Sequence, residues 1–122
     1  MEFTLDAFVT LSSEQIERLV AFYRDFLLME PTVCSKAYAE FELPGLRLAI
    51  FTPKAAHAAQ FANSAGSSMS LCLEVCDLAG AIAHLTAIGH TPPDAIMHTS
   101  HGQEVYAYDP DGNRLILHQA KK

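Results

Sequence analysis

The chain has 122 residues, half of them apolar, and a net charge of -6 from 14 Asp and Glu against 8 Lys and Arg. That length supports one well-buried domain and excludes two independent ones, and the acidic balance excludes a phosphate-tracking nucleic-acid surface, which needs clustered Lys and Arg. The only adjacent basic pair is Lys121-Lys122. No apolar run reaches the roughly 18 residues of a membrane span, and the start lacks the basic-then-apolar pattern of an export signal. The expected location is therefore the cytoplasm, with no membrane or nucleic-acid partner. Cys34, Cys72 and Cys76 are odd in number and share no repeated spacing, which predicts reduced, mostly buried thiols rather than a disulfide framework.

Leu5, Ala7, Val9 and Leu11 alternate with polar or outward positions, as a strand with one covered face does. Ser12 or Ser13 can cap a following helix, and Ile16, Leu19, Val20, Tyr23 and Leu27 recur at helical spacing to give it one apolar stripe. Pro31 is predicted to close it. An extended segment around Thr32 to Ser35 precedes two strands, Ala37 to Glu42 and Leu46 to Phe51, joined by the Leu43-Pro44-Gly45 turn. Lys54 to Gly66 is alanine-rich without strand alternation and reads as a short helix and linker.

The same order then recurs. Met69, Leu71, Leu73 and Val75 alternate with Ser68, Ser70, Cys72 and Glu74; Asp77 is predicted to cap a helix from Leu78 to Ile88 that Gly89 ends. His90 to Met97 reads as loop with a short strand, and Gln103 to Tyr108 with Arg114 to Gln119 as a hairpin around Asp109-Pro110-Asp111-Gly112-Asn113. Tyr38 to Thr52 aligns with Val105 to Gln119, and Phe8 onwards with Ser70 onwards, so each half is a strand, a helix and three more strands. The expected fold class is α+β: two tandem βαβββ modules forming a curved mixed sheet around a cleft, with helices on the convex side. The expected boundaries are module one about 4–53, a linker 54–67 and module two about 68–119, together a single domain.

That repeated order, with AFYRDFL ending the first helix and YAYDPDGNRLIL ending the last hairpin, resembles the vicinal oxygen chelate superfamily of glyoxalases, bleomycin-resistance proteins and extradiol dioxygenases. The resemblance runs from about Leu5 to Gln119. It implies paired βαβββ modules, commonly in a homodimer, and in metal-dependent relatives a His or Gln on the first strand of each module with a Glu on the last. Carried onto this chain, those positions are Phe8, Ser70, Ala49 and Ile116. Phenyl, methyl and sec-butyl groups have no lone pair to give a cation, and a lone serine is a poor ligand. The resemblance therefore implies a metal-ligand-deficient member with no cofactor, in which metal-dependent glyoxalase or dioxygenase activity is not expected.

If Ile116 faces the cleft, alternation adds Arg114 and His118 beside it, with Tyr106, Tyr108 and Glu104 on the neighbouring strand. The first module supplies Phe8, Arg47 and Phe51, with Ala49, Phe41 and Ala39 nearby, and Thr10, Ser70, Cys72 and Glu74 complete the inward set. Aromatic surface with scattered polar groups suits a flat, partly apolar organic molecule. The candidate ligand-binding residues are Phe8, Phe41, Arg47, Phe51, Ser70, Tyr106, Tyr108, Arg114, Ile116 and His118. Each also has a plain structural use: the phenylalanines fill a core, the arginines tie hairpins, and Asp109 and Asp111 accept turn N–H groups. His98 and His101 lie in the extra length of the second half, where the HTSHG loop can cover a cleft; a metal held by His98, His101 and His118 is the weaker alternative, since no carboxylate or cysteine stands at a supporting distance.

The leading functional expectation is a metal-free binding protein of the antibiotic-resistance type, acting as a homodimer that sequesters an organic ligand in an aromatic-lined cleft. The alternatives are a metal-independent lyase or isomerase using Glu74, Glu104 or His118 as base, or a non-catalytic protein-interaction domain. An active Cys72 needs a neighbour that lowers its pKa, and His84 is on the wrong side of the sheet to be that neighbour.

Overall fold

A computed structural model describes residues 3–63 and 66–121. Ser64 and Ala65 of the expected linker, and Lys122 of the basic pair, lie outside the described residues. Contacts divide the chain into two units, Met1–Phe61 and Ala62–Lys122, and the division falls inside the expected linker.

In the first unit, β1 (Val9–Ser12), α1 (Ile16–Leu27), β2 (Val33–Cys34), β3 (Tyr38–Leu43) and β4 (Leu46–Phe51) follow one another. The sheet order is β1-β4-β3-β2, with β1 parallel to β4 and the other pairs antiparallel. Leu48 and Ile50 on β4 explain that order: their register partners are Val9 and Leu11 on one side, Phe41 and Ala39 on the other. This gives one wholly apolar face for α1 to cover, and Leu48, Ile50, Phe41 and Ala39 are fully buried. Burial of each large side chain contributes about 1.5–3 kcal/mol.

The expected serine cap is corrected: Gln15 is the N-cap of the helix and makes no side-chain capping bond, while the Ser13 hydroxyl accepts the Gln15 N–H at 3.0 Å in the turn that leads into it. It ends earlier than Pro31 requires, because Leu28 takes a left-handed conformation at φ 55° and donates its N–H to the Arg24 carbonyl. Its buried set, Ile16, Leu19, Val20, Phe22, Tyr23 and Phe26, is wider than the expected stripe. Phe22 adds to it by meeting Tyr23 edge-on at 5.0 Å and stacking on Phe26 at 5.7 Å. The first strand is shorter than its alternation suggests: Phe3 and Leu5 precede it and are exposed. A 3-10 helix, Ala55–Phe61, follows β4, and Phe61 packs edge-on against Phe51 at 5.2 Å.

The second unit repeats the plan with β5 (Leu71–Glu74), α2 (Leu78–Ala87), β6 (Met97–Thr99), β7 (Gly102–Tyr108) and β8 (Arg114–Ala120), in the order β5-β8-β7-β6. Asp77 caps α2 by accepting the Gly80 N–H at 3.0 Å, and Gly89 follows the helix at φ +91°. Val105, Ala107, Leu115 and Leu117 form the face buried with Leu78 and Leu85 of α2. The chain thus consists of two βαβββ modules, each with a four-stranded mixed sheet and one flanking helix.

One difference between the modules reorients side chains. The first hairpin closes at Leu43 and Leu46 and opposes Arg47 with Glu42; the second turns through Asp109 to Asn113 and opposes Arg114 with Tyr108. The second hairpin is one residue longer between these equivalent pairs, so the position matching Tyr108 is Glu42 and not Phe41. A strand's facing inverts with every residue of slip. Phe41, expected on the ligand face near Ala49, is therefore corrected to the helix face: it opposes Leu48, is fully buried and meets the Tyr23 ring at a centroid distance of 6.4 Å. Ala39 moves with it. The expectation of mostly buried thiols is also corrected, since Cys34, Cys72 and Cys76 are all exposed; Cys34 and Cys72 sit on edge strands, and Cys76 just beyond β5.

Candidate functional site

Side chains that point away from α2 form three rows across the second sheet, fixed by the register of β5, β8 and β7. The middle row is Cys72, Ile116 and Tyr106, and the row toward the end of β8 is Glu74, His118 and Glu104. Arg114 opposes Tyr108 at the other end, with Ser70 immediately before β5 beside it. An apolar and aromatic band therefore runs between a cationic row and an acid-base row. Six of the sequence-selected residues, Ser70, Tyr106, Tyr108, Arg114, Ile116 and His118, are brought together on this face.

Arg114 is held firmly. Its Nε donates to the Ser70 hydroxyl at 2.7 Å, and its Nη2 to the carbonyls of Ser67 at 2.7 Å and Met69 at 3.4 Å. These bonds pin the segment before β5 to β8, so the arginine ties two parallel neighbours together and not its own hairpin. At the opposite end, His118 Nδ1 lies 2.7 Å from Glu74 Oε1. A carboxylate can only accept, so Nδ1 carries the proton and Nε2 offers its lone pair when the ring is neutral. Glu104, the register neighbour of His118 on β7, places a second carboxyl group in the same row.

Cys72 lies beside Ile116 at the edge of this face. Although the residue is exposed, partial burial of the sulfur pushes its thiol above the usual range, and the negative charges of Glu74 and Glu104 add to the shift. Every contribution disfavours the thiolate. An activated nucleophile is the opposite case.

The first sheet presents a different surface away from α1. Thr10 and Glu40 flank Ala49, Ser12 and Tyr38 flank Phe51, and Arg47 stands opposite Glu42. Arg47 lies over the Phe8 ring at 4.1 Å and donates through Nη2 to Asp6 at 2.6 Å. The Ala7 N–H and this guanidinium hold the Asp6 carboxyl below the usual carboxylate range, and Asp6 in return raises the arginine. Tyr38 donates to Glu40 at 2.6 Å, which holds its phenol proton and raises its pKa. Phe8 is exposed and Phe51 half-buried, so both rings keep accessible surface.

The superfamily's metal positions do not fit a divalent cation here. Ala49 is flanked by Thr10, and Ile116 by Cys72 and Tyr106; Phe8 stacks under Arg47, and the Ser70 hydroxyl is engaged by Arg114. Among the described residues no three His, Cys, Asp or Glu side chains group in a way that could hold a metal ion. The alternative set of His98, His101 and His118 is corrected by the register: His98 pairs with Gln103 on the helix side of the sheet, while His118 points from the other side.

Two features escaped the sequence reading. Asp6, the anchor of Arg47, precedes the first strand and carries no motif. The His118–Glu74 contact was legible in principle, because two residues at matching positions on parallel neighbours share a face. It required the register, not merely the strands.

A family model of the Glyoxalase/Bleomycin resistance protein/Dioxygenase superfamily matches residues 5–117, and the chain belongs to that superfamily. Among solved structures it is similar to a glyoxalase-related enzyme from Fulvimarina pelagi, with 20% identity, TM-score 0.76, and 95% of this chain and 88% of that one covered. A bleomycin-binding protein complexed with bleomycin shares 22% identity at TM-score 0.68, over 97% of this chain and all of that one (100%). A fosfomycin resistance protein from Listeria monocytogenes, complexed with Mn(II) and sulfate, shares 18% identity at TM-score 0.74, over 99% and 93% of the two chains. At these identities the likeness is one of fold. No curated protein sequence matches the chain significantly.

Proposed function

We propose that the protein binds a small organic molecule without a metal, in the manner of the bleomycin-resistance branch, on the helix-free face of the second sheet. The observation that supports this reading is the row of Cys72, Ile116 and Tyr106 lying between the Arg114 and Glu74–His118–Glu104 rows. Such a band offers a planar ligand stacking and dispersion contact, while the flanking rows fix its orientation. Tyr108, Ser70 and Arg114 extend the contact surface at one end; within module one, Phe8, Arg47 and Phe51 are the candidate ligand contacts of its own sheet. In this reading residues 4–119 work as one functional domain, 54–67 is a linker, and the protein is a cytoplasmic homodimer. Native mass spectrometry of gently purified protein, followed by calorimetry with bleomycin and with flat cationic dyes, tests the proposal. A retained ligand or a saturable heat that Tyr106→Ala weakens at least tenfold supports it. No retained mass and no heat with any probe overturns it.

A second reading, a metal-independent proton-transfer enzyme, is favoured by the 2.7 Å contact between His118 and Glu74. The imidazole Nε2 accepts a proton from the ligand while Glu74 stabilises the resulting imidazolium. Any molecule recovered from the native protein should then be turned over by wild type and not by His118→Gln. Equal fates in the two proteins refute this reading and leave binding intact.

A further inference from the structure

We infer that the second module carries a separate binding site for a small oxyanion, on the helix side of its sheet beyond the start of α2. A groove of about 430 Å³ there is lined by His98, Thr99, Gly102, Gln103, Gln119 and Lys121 among others. Its size falls in the range of small-ligand sites, and no acidic side chain lines it, although the chain has 14 Asp and Glu. His98, Gln103 and Gln119 form one continuous row across β6, β7 and β8.

Hydrogen bonding within the module decides what that row can offer. The Gln119 side-chain Oε1 accepts the Leu78 N–H at 2.7 Å, so its side-chain NH2 is the part left for a ligand. His98 Nδ1 faces Gln103 Nε2 at 3.5 Å, and an amide nitrogen can only donate, which leaves the proton of the neutral ring on Nε2. The Thr99 hydroxyl donates to the Gly102 carbonyl at 3.2 Å and receives the His101 N–H at 3.2 Å. The Gln119 Oε1 and His98 Nδ1 acceptors are thus used internally, and the imidazole N–H, the Gln119 amide NH2 and the Lys121 ammonium remain as donors beside the one side-chain acceptor of Gln103. A lining in which donors predominate, with one fixed positive charge and no carboxylate, matches a carboxylate or phosphate group better than a metal cation.

Gly102 keeps the groove's floor in place. It stands at φ +150°, and a Cβ there would run into the Gln119 carbonyl oxygen. The close approach holds the start of β7 against the end of β8, which brings the β6–β7 turn, with the His101 carbonyl accepting the Lys121 N–H at 3.0 Å, against the tail of β8.

Inorganic phosphate and succinate, titrated separately into the ¹⁵N-labelled protein in chloride buffer at pH 7, distinguish the two sources of oxyanion. Saturable shifts of the Gln103 and Gln119 side-chain amides with either probe are expected, at least fivefold weaker in Lys121→Ala and in His98→Ala, and unchanged in Lys54→Ala, whose residue does not line the groove. All three substituted positions are exposed, so folding is preserved. Absence of saturable shifts with both anions, or equal affinity in wild type, Lys121→Ala and His98→Ala, overturns the site.

Discussion

Arg47 lies with its guanidinium carbon 4.1 Å from the centre of the Phe8 ring. In the second module the matching arginine, Arg114, meets Ser70 instead and donates Nε to its hydroxyl at 2.7 Å. The consequence is visible on Arg47: its Nε is buried without a hydrogen-bond partner, because a phenyl ring stands where the other module has a hydroxyl. Two equivalent arginines therefore secure their strands by different physics, one by cation–π attraction and a carboxylate, the other by neutral oxygen acceptors.

Phe8→Ala should lower stability by removing the ring from under a cation whose Nε stays unsatisfied. Phe8→Ser supplies the acceptor that Ser70 provides in the other module, so its urea midpoint should fall between those of wild type and Phe8→Ala. Equilibrium unfolding of the three proteins checks the order.

Asp6 supplies the pH dependence of the same link. Its folded pKa is depressed, first by the Ala7 N–H and then by Arg47. The sign follows: the stabilisation is complete above the unfolded value of about 3.8 and disappears as pH falls through the lower folded value. Wild type should therefore be more stable than Asp6→Asn at pH 7, and the gap should close below the ordinary carboxylate range. Thermal unfolding at stepped pH measures it.

Asp109 is buried in the second hairpin turn, where its carboxylate accepts from the Asp111 N–H at 2.9 Å, the Asn113 N–H at 3.0 Å and the Asn113 side-chain amide at 2.8 Å. Asp109→Ala strands these donors and should cost about 2–4 kcal/mol. Chemical denaturation gives the value, and Asp109→Asn should recover part of it.

Cys72 should alkylate more slowly at pH 7.5 than an unstructured cysteine peptide, because partial burial, Glu74 and Glu104 all raise its thiol. Glu104→Gln removes one of the negative charges that raise the thiol and should speed iodoacetamide labelling of Cys72, because a lower pKa enlarges the thiolate fraction. Peptide mapping by mass spectrometry separates Cys72 from Cys34 and Cys76.

Much of this molecule is written locally. The alternation of Leu46 to Phe51 and Arg114 to Gln119, the Asp77 cap and the Asp109-to-Asn113 turn depend on neighbours within a few positions, and the elements they predict are present. Phe41 shows where local reading stops. Its strand was legible, but its facing depended on the length of a turn in each module, and one residue of difference reversed it. The exposure of the three thiols was likewise hidden, because a cysteine's chemistry does not reveal whether its strand is at an edge or in the centre of a sheet.

By itself, then, the sequence determined the repeated βαβββ order and the loss of lone-pair donors at Phe8, Ala49 and Ile116, since residue periodicity and side-chain chemistry are properties of the chain. Tertiary structure alone decided that His118 meets Glu74, that Arg47 stacks on Phe8 while Arg114 bonds Ser70, and that His98 and His118 point from opposite sides of one sheet. The physical reason is that such contacts join residues some 40 positions apart, and strand register, a collective outcome of packing each sheet against its helix, sets which of them coincide.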